Sequence, residues 1–262
     1  MKKLFLIIIL FEVIFCSTKD KPFLCGCHSH NDYLNEIPLL NALNHGFKSI
    51  EVDIVLHDKT LFVAHHRWLK RKNKVIEKLY LDNLYKIFID NDGFIYEKDD
   101  PLYLLVDIKT SANETYEVLN KLLKDYKPML SYVINDSVVS GAVTVILSGN
   151  KPRIEYLKKV KERFVFIDGR LSDIGKNIPI SLMPLVSIDW DDEFNWRGRE
   201  NISIEELIYL REIINSVHLE EKKIRFWGSP DNEKSWGTLY SSGVDLINTD
   251  KIIGLYNFMR KQ

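Results

Sequence analysis

From residue 22 to residue 262, short apolar runs alternate with amphipathic stretches. The apolar runs are Phe23–Cys27, Lys48–Ile54, Leu102–Ile108, Ala142–Leu147, Phe164–Ile167, Leu182–Ile188, Lys223–Trp227 and Val244–Asn248. Between them, helical spacing of apolar positions predicts helices over Ile37–His45, Lys78–Ile89, Asn113–Tyr126, Arg153–Arg163, Ile204–Val217, Lys234–Ser242 and Ile252–Arg260. Strand–helix alternation of this kind predicts parallel βαβ units. Eight such strands are the number of an α/β (β/α)₈ TIM barrel, with an open doubly wound sheet as the competing arrangement. No Gly/Ser/Pro-rich linker divides the chain, so a single domain over residues 22–262 is expected.

In a barrel of parallel strands the chemistry sits at the C-terminal strand ends, so polar residues closing an apolar run are the ones to inspect. The first run ends in Cys27-His28-Ser29-His30-Asn31-Asp32 and the second carries Glu51-Val52-Asp53. Alternation across the strand puts Glu51 and Asp53 on one face and Ile50, Val52 and Ile54 on the other. Two carboxylates side by side in a barrel mouth need a compensating cation, either one hard divalent ion or a Lys or Arg partner. The third run repeats the device. Asp107 and Lys109 share a face at its end, as a third oxygen ligand beside a fixed positive charge for phosphate, or as a structural ion pair. His65 closes the run Leu61–Ala64, and with His28 it offers two imidazoles able to exchange protons near neutral pH. Two histidines, three carboxylates and a lysine on successive strand ends form the set needed to split a phosphodiester.

These residues in this order resemble the superfamily of glycerophosphodiester phosphodiesterases and phosphatidylinositol-specific phospholipase C-like enzymes. The segments HSHNDY (residues 28–33), ALNHGFKSIEVDI (42–54), LLVDIKT (104–110), FNWRG (194–198), IRFWGSPDN (224–232) and GVDLINTD (243–250) are similar to the altered inheritance of mitochondria protein six-like branch. The resemblance implies a barrel that hydrolyses a small-molecule or lipid phosphodiester with one divalent cation, Mg²⁺ or Ca²⁺. By motif, His28 and His65 match the acid–base pair, Glu51, Asp53 and Asp107 the metal ligands, and Lys109 the phosphate-facing lysine. The glycerophosphodiester type opens with His-Arg-Gly where this chain has His28-Ser29-His30, and Arg67 and Arg225 are the candidates to substitute for the missing arginine. Asn31 fits either an orienting or metal-binding role or a turn. Trp227 fits either the pocket rim or the core. His30 reads as a residue behind the site or in the loop, and Asp250 as a helix N-cap. An H-x-H metallohydrolase built on His28 and His30 is the less favoured enzyme class, since the later runs bring no further histidines. A non-catalytic envelope lipoprotein that binds a phosphorylated ligand is the alternative outside enzymes.

Charge and composition narrow the partners. Lys plus Arg (36) nearly cancels Asp plus Glu (37), so the chain has no basic field and nucleic acid is not an expected partner. Six of the seven histidines fall within the first 66 residues, which ties histidine chemistry to the first strands. The start, MKKLFLIIILFEVIFC, has the charged and apolar regions of a secretory signal over residues 1–16. It predicts export to the periplasm or cell envelope, with possible membrane attachment through a lipid on Cys16. Cys25 and Cys27 are expected to be two small strand residues rather than a disulfide, which their spacing disfavours.

Overall fold

The computed structural model describes residues 25–66, 68, 74–96 and 101–262. The leader, Cys16 and Arg67 lie outside the described residues. Strand β1 (Cys25–Ser29) pairs in parallel with β2 (Phe47–His57), which folds back by an antiparallel hairpin into β3 (Thr60–Val63). Helix α1 (Leu40–Asn44) joins β1 to β2, and α2 (Asp82–Asp90) precedes β4 (Leu102–Ile108). After α3 (Ala112–Leu123) come the short strands β5 (Tyr132–Ile134) and β6 (Ser137–Val139), then β7 (Val143–Gly149). Helix α4 (Ile154–Leu157), β8 (Glu162–Arg163) and β9 (Phe166–Gly169) follow. The chain ends with β10 (Leu185–Asp189), α5 (Trp190–Glu193), α6 (Ile204–His218), β11 (Lys223–Trp227), α7 (Glu233–Ser242), β12 (Leu246–Thr249) and α8 (Ile252–Met259). Among the described residues, the order β1-β12-β11-β10-β9-β7-β4-β2 closes on itself through the β1–β2 pairing. The molecule is a single-domain (β/α)₈ barrel, as the alternation predicts, and the open sheet is excluded.

Two cores hold it. Outward-facing residues such as Ile50, Val52, Ile54, Val106, Val145, Ile224 and Phe226 pack under the helices in the large cluster. Inward-facing Leu105, Ile146, Phe166, Leu185 and Leu246 form a separate plug inside the barrel. The same inward rows turn polar at the next position up, at half-buried Asp107 and at buried Ser148, Asp168, Ser187 and Asn248. That change, from apolar floor to buried polar mouth, sets the depth of the site. A cavity of about 760 Å³ opens at the opposite end of the strands, between Tyr103, Ala142, Phe166 and Pro184, away from these polar residues.

The departures from the sequence reading are local. Asn135 and Asp136 take φ of 46° and 64°, the left-handed pair of a tight hairpin turn, and join β5 to β6. Strand β8 then pairs with β5, so the helix expected over Arg153–Arg163 stops at Leu157. Buried Arg163 locks that corner, donating to the carbonyls of Val165 (2.7 Å) and Ser181 (2.6 Å). Cys27 is buried and disulfide-bonded, which corrects, for Cys27, the expectation of a small strand residue outside any disulfide; its partner sulfur lies outside the described side chains. Among the described residues no helix is long and apolar enough to cross a membrane.

Candidate active site

Parallel pairing in register brings the site together. Asp53 on β2 lies opposite Asp107 on β4, which lies opposite Ser148 on β7. Ligand oxygens of Glu51, Asp53 and Asp107 come within 4.8 Å of one another. Each carboxylate is tied to the protein through one oxygen. Asp53 Oδ2 receives the Tyr33 hydroxyl (2.8 Å), meets His65 Nδ1 (2.6 Å) and lies 3.4 Å from Lys109 Nζ. Asp107 Oδ2 pairs with Lys109 Nζ at 3.1 Å. Glu51 Oε2 is bonded to His28 Nε2 (2.9 Å) and to the Arg225 guanidinium. The other oxygens of Asp53 and Asp107, both Oδ1, are buried with no hydrogen-bond partner.

Orphaned buried anionic oxygens are costly, and the donor set, three carboxylate oxygens, suits a hard divalent cation. The residues therefore fit the metal that the sequence implies. Backbone geometry makes the room. Gly149 has φ +62°, and a Cβ there would stand 2.0 Å from Asp107 Oδ1. Gly149→Ala is expected to displace that carboxylate. Its left-handed backbone alone costs roughly 1–2 kcal/mol, measurable by urea denaturation.

The two histidines of the H-x-H sequence part company. His28 is 0% exposed, with Nδ1 on Ser49 Oγ (2.7 Å) and Nε2 on Glu51. Burial, with the Arg225 charge beside it, lowers its pKa to about 3, so it is neutral at neutral pH. A fully enclosed ring with both nitrogens occupied reaches no substrate, and this corrects the expected acid–base role of His28. His30 is the open one, its side chain 28% exposed. Its Nε2 lies 3.9 Å from Glu51 Oε1, and its Nδ1 bonds Asp250 Oδ1 at 2.8 Å. Burial opposes its charge, but the Asp250 bond and the field of Glu51 outweigh that and raise its pKa. Asp250 does not cap α8 with its side chain; Thr249 Oγ1 accepts from Lys251 N instead. His28 and His30 thus form no paired metal site, which removes the H-x-H metallohydrolase arrangement.

Residues 20–168 match the AIM6-like phosphodiesterase domain. The chain is 31% identical over 280 residues to altered inheritance of mitochondria protein 6 of Eremothecium gossypii, covering 92% of this chain and 71% of that one. The homolog from Arthroderma benhamiae is 27% identical over 256 residues, covering 86% of this chain and 81% of the other. This chain belongs to the AIM6-like phosphodiesterase family. Solved structures agree in fold. A calcium-dependent phosphoinositol-specific phospholipase C from Pseudomonas superposes with TM-score 0.58 at 13% identity, covering 89% of this chain and 91% of that one. A glycerophosphodiester phosphodiesterase from Parabacteroides distasonis gives 0.52 at 13% identity, covering 93% and 100%.

In the AIM6-like phosphodiesterase the other expected site residues fall as follows. His65, its side chain 48% exposed, faces out from Asp53. Lys109 bridges Asp53 and Asp107, and burial, which opposes its charge, is outweighed by those carboxylates, so its pKa is raised. Asn31 sits at φ 46° with its amide against the His30 ring (3.0 Å) and its oxygen accepting from Tyr33 (3.2 Å). Trp227 stands at the rim, 37% exposed. Sequence reasoning underrated Arg225, Asp250 and His30. For Arg225 a signal existed: in Lys223–Trp227, alternation places it on the inward face, opposite Ile224 and Phe226.

Proposed function

We propose that this AIM6-like phosphodiesterase hydrolyses a glycerophosphodiester- or phospholipid-like substrate with one divalent cation, Mg²⁺ or Ca²⁺, held by Glu51, Asp53 and Asp107. The observation that carries this reading is the set of three carboxylates, each tied by one oxygen and two with a buried oxygen left over. When bound, the cation supplies Lewis-acid stabilisation of charge on the phosphoryl oxygens. Lys109 adds a fixed positive charge beside them. Asp250 holds Nδ1 of His30, so in the imidazolium Nε2 carries the proton for the leaving oxygen, with substrate taking the place of the Asn31 amide nitrogen that lies 3.0 Å from it. Asp53 holds Nδ1 of His65, which leaves Nε2 to take a proton from the attacking hydroxyl or water. Asn31 steadies the His30 ring, and Trp227 lines the rim where a head group enters. Arg67 lies outside the described residues and keeps no role here beyond the sequence expectation of a phosphate contact. The leader supports export to the cell envelope, with membrane attachment through Cys16; mass spectrometry of the mature N-terminus checks both.

The direct test is hydrolysis of bis(p-nitrophenyl) phosphate and a panel of glycerophosphodiesters, with added cation and with chelator. Activity is expected to disappear with chelator and in Glu51→Gln. Equal rates for the wild type and Glu51→Gln across the panel would overturn the reading. A second prediction concerns pH. If protonated His30 is the acid, kcat/KM falls as pH rises through its pKa. Asp250→Asn removes the charge that raises this pKa, so the alkaline limb of the pH–rate profile is expected to move to lower pH.

A further inference from the structure

The site restricts each carboxylate to a single available oxygen, and for Glu51 the restriction comes from across the barrel. Arg225 enters from β11, is 3% exposed, and reaches Glu51 Oε2 on β2. Its guanidinium is fixed on the way, by Nε to Ser187 Oγ (3.0 Å) and Nη1 to Asn248 Oδ1 (3.3 Å). His28 Nε2 occupies the same Glu51 oxygen. Oε1 is left as the side of Glu51 that faces His30. Freeing Oε2 would break a buried ion pair, and a buried guanidinium without its carboxylate is strongly unfavourable.

This matters for the choice of cation. Ca²⁺ gathers six to eight oxygens in a flexible shell and commonly takes a carboxylate by both oxygens. Mg²⁺ demands near-octahedral geometry, takes carboxylates by one oxygen and keeps several waters. Three single oxygens serve the second pattern and starve the first. Resting on the cation reading above, the geometry points to Arg225 as a positioning residue that limits Glu51 to one ligand oxygen and so makes the site select Mg²⁺ over Ca²⁺. The selection runs opposite to the calcium dependence of the Pseudomonas phospholipase C of similar fold.

The test is calorimetric titration of the metal-free protein with Mg²⁺ alone and with Ca²⁺ alone, in wild type, Arg225→Met and Arg225→Lys. The wild type is expected to bind Mg²⁺ more tightly than Ca²⁺. In Arg225→Met, Glu51 Oε2 loses its ion pair and is held by His28 Nε2 alone, and preference should move toward Ca²⁺ by about tenfold or more in the ratio of the two Kd values. Arg225→Lys keeps the charge without the fork, so a smaller shift in the same direction is expected; it also serves if Arg225→Met does not fold. A merely structural role for Arg225 would weaken both cations alike and leave the ratio in place. That result, or a wild type that prefers Ca²⁺, would overturn the selection while leaving the cation reading intact. Absence of binding by either cation would overturn both.

Discussion

Replacing His30 by Gln is expected to lower kcat/KM by about 10²- to 10⁴-fold, the range for loss of a positioned acid or base. The loss should depend on the leaving group. An alkyl leaving oxygen needs a proton as the bond breaks, whereas a p-nitrophenolate leaves without one. Glycerophosphodiester hydrolysis by His30→Gln should therefore suffer far more than hydrolysis of the aryl diester. His28→Asn is expected to behave differently. His28 holds Ser49 and Glu51 deep in the barrel, so its loss should show as lowered thermal stability and should fall on alkyl and aryl substrates alike. Kinetics of the two variants on both substrates decide between the histidines. Equal sensitivity of His30→Gln to both leaving groups would remove it as the acid.

The reason His28 and His30 are confused in the sequence is physical. Both close one apolar run, and a spacing of two residues predicts the same face for each, although β1 ends at Ser29 and His30 lies just beyond it. What separates them arrives from the far end of the chain. Arg225 comes from β11 to cover His28, and Asp250 follows β12 to hold His30. Such contacts exist only after the barrel closes, and no local pattern contains them. The carboxylates, by contrast, are legible because period-two alternation fixes the face of Glu51, Asp53 and Asp107 before any tertiary contact forms. The barrel itself is legible for the same reason, through outward rows such as Ile50-Val52-Ile54. The β5–β6–β8 sheet is not, since three-residue strands give too few alternations to read. Only the Asn135-Asp136 turn marked it. Tyr33 and Ser49 escaped notice because each acts by supplying one bond to a buried group, a task many residues perform without function.

Asp107→Asn should separate stability from function. Burial pushes the Asp107 carboxyl above its usual range, Asp53 and Glu51 add to the rise, and Lys109 opposes it. A carboxyl whose folded pKa is raised favours the fold in its protonated form. That contribution is present below its unfolded pKa and is lost as pH rises through the folded value. At neutral pH the ionised group works against folding, and a neutral amide of the same shape relieves it. Metal-free Asp107→Asn is therefore expected to melt above the metal-free wild type. Catalysis should move the other way, by at least about 100-fold, since even partners behind a metal ligand carry 10- to 100-fold effects. Added Mg²⁺ should raise the wild-type Tm, because a cation that binds only the folded protein stabilises it, and should raise that of Asp107→Asn much less. Thermal melts with cation and with chelator, beside kinetics on one diester, read all three effects. A lower Tm for metal-free Asp107→Asn would mean that Asp107 serves the fold through its ion pair with Lys109, the structural alternative the sequence left open. A higher one, with activity gone, means the barrel gives up stability to keep a third carboxylate where only a cation makes it comfortable.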